Sequence, residues 1–170
     1  MSQGVDPTRR ALLRGRLRSP AKALPLPWAI PWSDFVAGCS RCGDCLAACP
    51  EGIIVQGDGG FPTLNFQHGE CTFCGACADA CNEPLFLPRE QTPWQLVARI
   101  GEGCLAFGQV FCQSCQDSCE PRAIRFSPAP RGIPVPTLTV ADCTGCGACV
   151  AACPAQAIRV IDSKDASHEA

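Results

Sequence analysis

Apolar and polar positions change over in short runs along this chain. Ile53-Ile54-Val55-Gln56 and Phe61 to Phe66 flank the turn Gly57-Asp58-Gly59-Gly60, a strand–turn–strand pattern. The same pattern returns later, with Ala123 to Ser127 and Ile133 to Val140 on either side of a Pro/Gly-rich turn over 128–132. Between these hairpins, Trp94, Leu96, Ala98 and Ile100 alternate with Gln95, Val97 and Arg99, which predicts a further strand. Pro88 and Pro93 break any long helix in this connection. The apolar stretch Ala23 to Trp32 contains Pro25, Pro27 and Pro31 and reads as an extended lead-in. No run approaches the roughly 18 apolar residues of a membrane span, so stable membrane insertion is not expected. Residues 1–33 and 162–170 are expected to be flexible.

Composition changes this picture sharply. The 170 residues include 16 cysteines, 16 prolines and 16 glycines, no tyrosine and only 6% aromatic residues. Such a chain builds a thin apolar core, so something besides side-chain packing must hold it together. The formal charge is −2, which gives no net cationic field for nucleic acid. Its distribution is uneven: residues 1–22 carry Arg9, Arg10, Arg14, Arg16, Arg18 and Lys22 against Asp6 alone, and acid predominates after them.

The cysteines fall into four groups of four. Cys39, Cys42, Cys45, Cys49; Cys71, Cys74, Cys77, Cys81; and Cys143, Cys146, Cys149, Cys153 all read CxxCxxCxxxC. The remaining group, Cys104, Cys112, Cys115, Cys119, has seven residues in its first gap. Three cysteines spaced by two residues on one tight loop reach three corners of a four-iron, four-sulfide cubane, and the fourth begins to point the other way. Glycine helps a backbone wrap closely, because it takes positive φ without strain, and Gly43, Gly75 and Gly147 each follow a second cysteine. An even cysteine count also suits disulfides, but secreted scaffolds seldom repeat a 2, 2, 3 spacing and no signal peptide is legible. Structural zinc prefers paired CxxC units and would leave the third cysteine of each triplet unexplained.

At these residues the sequence resembles the bacterial two-cluster ferredoxins, duplicated. It is similar, more specifically, to the ferredoxin-type accessory proteins of periplasmic nitrate reductase systems. The more specific markers are Thr8-Arg9-Arg10, the Pro/Trp-rich lead-in and the third group in its setting GEGCLAFGQVFCQSCQDSCEP, residues 101–121. The second cysteines of groups one and two lie 32 residues apart and those of groups three and four 34 apart, each interval enclosing one hairpin. The expected fold is therefore α+β: two tandem ferredoxin-like modules, 34–87 and 88–161, with small antiparallel hairpins and short helices around the clusters, after a basic tail and lead-in (1–33) and before a tail (162–170).

In the ferredoxin pattern the fourth thiolate of each run ligates the other cluster of its module. The resemblance then implies four [4Fe–4S] clusters. Cys39, Cys42, Cys45 and Cys81 hold the first; Cys71, Cys74, Cys77 and Cys49 the second; Cys104, Cys112, Cys115 and Cys153 the third; Cys143, Cys146, Cys149 and Cys119 the fourth. The third set is the less regular: Gln113 replaces the glycine, Phe107, Val110 and Phe111 fill the insertion, and a buried free thiol at Cys104 is the alternative. With four cubanes of about −2 each, the holoprotein charge becomes about −10, suited to steering toward basic partner surfaces.

The resemblance implies a cytoplasmic protein that assists maturation of the nitrate reductase catalytic subunit before export, by donating electrons or by assisting its iron–sulfur centre. The residues are also compatible with a general electron-transfer subunit that serves a redox partner protein, or with a redox-sensing binding chaperone whose clusters are structural. Thr8-Arg9-Arg10 imitates the start of a twin-arginine export signal, but Arg16, Arg18, Pro20 and Lys22 interrupt the apolar stretch such a signal needs. Val36-Ala37-Gly38-Cys39 imitates a lipidation box, with Cys39 already spoken for by the cluster motif. His68 and His168 are the only histidines and stand far apart, so no substrate-converting active site is expected.

Overall fold

A computed structural model describes residues 23–128 and 132–166. Each module is organised around a two-stranded hairpin and a pair of short helices. In the first, α1 (Trp32–Gly38) leads into α2 (Asp44–Ala48), the hairpin β1 (Ile54–Gln56) and β2 (Pro62–Leu64), and α3 (Ala76–Asp79). In the second, β3 (Leu96–Ile100) precedes α4 (Ser114–Asp117), the hairpin β4 (Ile124–Ser127) and β5 (Val135–Leu138), α5 (Ala148–Ala151), β6 (Ile158–Asp162) and α6 (Ser163–Ala166).

Both hairpins sit where the patterning predicts, with Ile54 opposite Leu64 and Ile124 opposite Leu138. They are shorter than the apolar runs that signal them. Pro62 and Pro136 fall within them, and a two-stranded ribbon accepts proline because each strand has a free edge. The predicted strand over 94–100 is β3, and its partner is the last strand: Leu96 faces Asp162 and Ile100 faces Ile158, antiparallel. The strand before the third cysteine group thus pairs with the strand after the fourth and closes module two.

Module one is closed in the same sense by the lead-in, which was expected to be flexible. Leu26 is 2% exposed and Trp28 is buried. The Trp28 amide donates to the carbonyl of Pro93 at 2.7 Å, Leu87 donates back to the Trp28 carbonyl, and Ile30 donates to Leu85. The indole of Trp28 reaches the carbonyl of Gln91, and Ala29 bridges Phe86. Pro25, Pro27 and Pro31 remove donors, so the pairing stops at a bridge where module two has five paired residues. At the other end, 162–166 also differs from the expected flexible tail. Asp162 completes β6, and the amide of Ser163 donates to Gln95.

Leu26, Phe35, Ile53, Leu64, Phe66, Leu85, Trp94, Leu96, Ile124, Ile158 and Val160 form one buried cluster that includes the thiols Cys77, Cys115 and Cys149. The modules share this core. Trp94 packs edge-on against both Phe66 and Phe73, and its indole N–H donates to the carbonyl of Thr144 at 2.7 Å. Among the described residues no helix is long and apolar enough to cross a membrane.

Candidate metal centres

The three regular cysteine groups share one loop geometry. The residue before the second cysteine has positive φ in each, at Arg41, Phe73 and Gly145, and the glycine after it is again left-handed and caps a short helix. Two left-handed residues around one cysteine curl the loop so that its first three thiols face a common centre. Arg41 tolerates this with its guanidinium on the carbonyl of Gly59 and over the ring of Phe61. The helix then runs only four or five residues and delivers the last cysteine at its far end.

Group three reaches a similar arrangement by another backbone route. Gln113 has φ −133, a conformation open to any residue, which is why no glycine is needed there. The long gap is taken up by turns. Phe107 and Gly108 donate to the carbonyl of Cys104, and Val110 donates to Leu105. Ala106 is fully buried by this fold, whereas Phe107, Val110 and Phe111 are exposed, Phe111 at 70%.

The thiols gather in four places. Cys39, Cys42 and Cys45 line a cavity with Cys81, the last cysteine of the second group. Cys71, Cys74 and Cys77 line another with Cys49, the last of the first. Cys104, Cys112 and Cys115 line a third with Cys153. Cys149 of the fourth group feels the charges of Cys146, Cys143, Cys115 and Cys119, so this group lies beside the last two cysteines of the third. Each module therefore exchanges its last cysteines between groups, and Cys104 stands among the thiols of the third set.

Burial is the largest influence on these thiols. It pushes Cys77 and Cys149 up to about 12, and Cys45, Cys71 and Cys115 up to about 11, with neighbouring thiolates adding to the rise. The charge acting on Cys71 includes that of Cys146, from the other module. Thiols so placed hold their protons at neutral pH until a metal displaces them. Two of the others accept backbone hydrogen bonds: Ala98 of β3 donates to Cys143 Sγ and Ala157 to Cys153 Sγ, both at 3.3 Å.

This donor set fits a polynuclear iron–sulfur centre. Zinc draws four sulfurs to about 2.3 Å from one point. Among the described residues no three His, Cys, Asp or Glu side chains converge enough to grip a single ion. The thiols surround a volume instead, as one thiolate per iron requires. Two contributors escaped the sequence reading. The seat of the lead-in was hidden by its prolines. The role of Trp94 as a clamp on the group-four loop had no signal beyond its place in an alternating run. His68 lies exposed between the first hairpin and the second group. Arg9 and Arg10, and His168, fall outside the described residues.

Two hairpin-and-helix modules with these interleaved thiol sets define a tandem ferredoxin, an iron–sulfur electron carrier. Models of the 4Fe–4S dicluster domain match residues 38–85 and 110–157; the second match begins after Cys104. The chain is 47% identical to the ferredoxin-type protein NapF of Escherichia coli K12, over 91% of this chain and 94% of that protein. It is 49% identical to NapF of Haemophilus influenzae over 81% of this chain and 78% of that one. The methylamine utilization ferredoxin-type protein MauM of Paracoccus denitrificans is 31% identical over 84% of this chain and 72% of its own length. The chain belongs to the NapF family of ferredoxin-type proteins.

Proposed function

We propose that this chain carries four [4Fe–4S] clusters on the sets Cys39/Cys42/Cys45/Cys81, Cys71/Cys74/Cys77/Cys49, Cys104/Cys112/Cys115/Cys153 and Cys143/Cys146/Cys149/Cys119. It serves as a cytoplasmic accessory protein that assists maturation of the catalytic subunit of a periplasmic nitrate reductase before export. Membership of the NapF family carries this reading. The interleaved thiol cavities support the ligand sets.

When bound, each cubane supplies a one-electron couple. The protein's own residues keep it out of bulk water with Leu46, Ile54, Phe126 and Ile158 along the cavity walls. Backbone donors at Ala98 and Ala157 stabilise negative charge on sulfur. An acidic body with bound clusters then steers toward a basic partner surface, and its acidity grows by one charge for each electron taken up.

A second reading, a general electron-transfer subunit for another redox enzyme, draws support from the MauM relatives, whose name ties them to methylamine utilization. A pull-down with the apo catalytic subunit of the nitrate reductase, run with the clusters oxidised and reduced, separates the readings. Binding that depends on redox state supports the maturation role. No binding favours the general carrier, and redox-independent binding favours a binding chaperone with structural clusters.

A further inference from the structure

Four thiol sets on one chain could be wired in several orders, and chain order is the simplest guess. The geometry points to a different one: we infer that the sets form a single electron-transfer series in the order first, second, fourth, third, whose inter-module step runs between the Cys71 and Cys146 loops under the clamp of Trp94. This rests on the reading that all four sets bind clusters.

Each neighbour relation has its own observation. The first and second sets adjoin because Cys49 and Cys81 are exchanged between them at the ends of α2 and α3. The third and fourth adjoin in the same way through Cys119 and Cys153, at the ends of α4 and α5. Between modules, the amide of Cys71 donates to the carbonyl of Cys146 at 2.8 Å, so a ligand residue of the second set is bonded by its backbone to a ligand residue of the fourth. The loops are held there from both sides. Trp94 donates to Thr144, two residues before Cys146, and packs its ring on Phe73, two residues after Cys71. Gly145 lies against the backbone of Leu96 with no space for a side chain. The first and third sets are thereby the two ends, one in each module.

The step itself is a one-electron exchange: the donor set is oxidised as its neighbour is reduced, with no proton or bond change at sulfur. A one-electron donor protein at one end and an acceptor protein at the other complete the balance.

The test uses anaerobically purified, fully reduced holoprotein, with iron counted on every sample and pulsed electron paramagnetic resonance reading spin–spin coupling between sites. Opening the fourth set with Cys146→Ala should leave the first and second sets coupled and the third magnetically isolated. Opening the first with Cys42→Ala should leave the other three coupled. A third set still coupled in the C146A protein would overturn the order. Iron below that of the three intact sites in these variants would overturn the ligand sets themselves, a failure distinct from a wrong order. The variant Trp94→Phe keeps every thiol and an aromatic ring at this position but loses the indole N–H and the five-membered ring that bears it. Unchanged iron with weakened coupling between modules, and unchanged coupling within them, is expected; unchanged inter-module coupling would remove Trp94 from the proposal.

Discussion

Gly147, in the fourth cysteine group, lies so close to the ring of Phe66 in module one that a Cβ built on it would clash with the ring's Cδ1 and Cγ. Gly43 holds the equivalent place in group one, with nearly the same φ (88° against 89°), and no atom of the described residues lies within 4 Å of its missing Cβ. The two glycines thus separate two reasons for the same residue. Gly43→Ala costs only the left-handed strain of an L side chain, about 1–2 kcal/mol. Gly147→Ala adds overpacking of about 1–3 kcal/mol against the aromatic contact that joins the modules. Anaerobic denaturant unfolding of the loaded proteins should rank them in that order, and equal losses would mean that the inter-module contact is loose in solution.

Cys104 offers a sharper count. Its thiol lines the third cavity with Cys112, Cys115 and Cys153, although its spacing breaks the pattern of the other groups. If it is the fourth ligand, Cys104→Ala should lower the iron of reconstituted protein from about 16 to about 12, and the cluster lost should be one in module two. A free thiol would leave the count at its starting value. Phe111→Ser, in the same insertion but 70% exposed, is the control and should hold the wild-type iron.

How far the sequence carries is visible in these cases. The hairpins, β3 and the four groups are legible because each is written locally: alternation for strands, Gly/Pro turns between them, cysteines at fixed offsets. The exchange of Cys49 with Cys81, and of Cys119 with Cys153, is what the ferredoxin resemblance implies; Cys81, Cys49 and Cys153 each line a cavity with the first three cysteines of another group. What escaped is non-local. Residues 23–31 look like a linker because proline cannot join a helix or a central strand, yet Leu26 and Trp28 bury themselves against module one through backbone carbonyls and a few remaining donors. Trp94 reads as one more apolar position of a strand, while its function as a clamp depends on Thr144, 50 residues away.

The lead-in makes its own prediction. Leu26 is among the few large side chains buried to the last few per cent, so Leu26→Ala should destabilise the loaded protein by about 2–5 kcal/mol. Trp28→Phe keeps an aromatic ring beside Phe73 but removes the donor to Gln91, a loss of about 1 kcal/mol to which the smaller ring adds a cavity term. Chemical denaturation with iron monitored in parallel checks both. If residues 23–31 were a free linker, neither substitution would shift the transition.

Metal removal carries the last prediction, and its pH dependence has a definite sign. In the metal-free chain, thiols in the unfolded state ionise near 9.0, whereas burial lifts Cys77 and Cys149 to about 12 and Cys45, Cys71 and Cys115 to about 11. Between pH 9 and 12 the gathered state binds more protons than the unfolded one, so whatever gathered structure survives chelation is lost as pH rises through that window. Loading has the opposite sense. Each ligand binds iron as thiolate, so reconstitution releases protons and grows more favourable as pH rises toward 9. Anaerobic chelation should therefore abolish most of the far-ultraviolet circular dichroism. Iron and sulfide should restore it at lower iron concentration at pH 8.5 than at pH 6.5, with acid released into a weakly buffered solution. Reconstitution that releases no protons would mean that these thiols are not the ligands, because each thiol must give up its proton to bind iron.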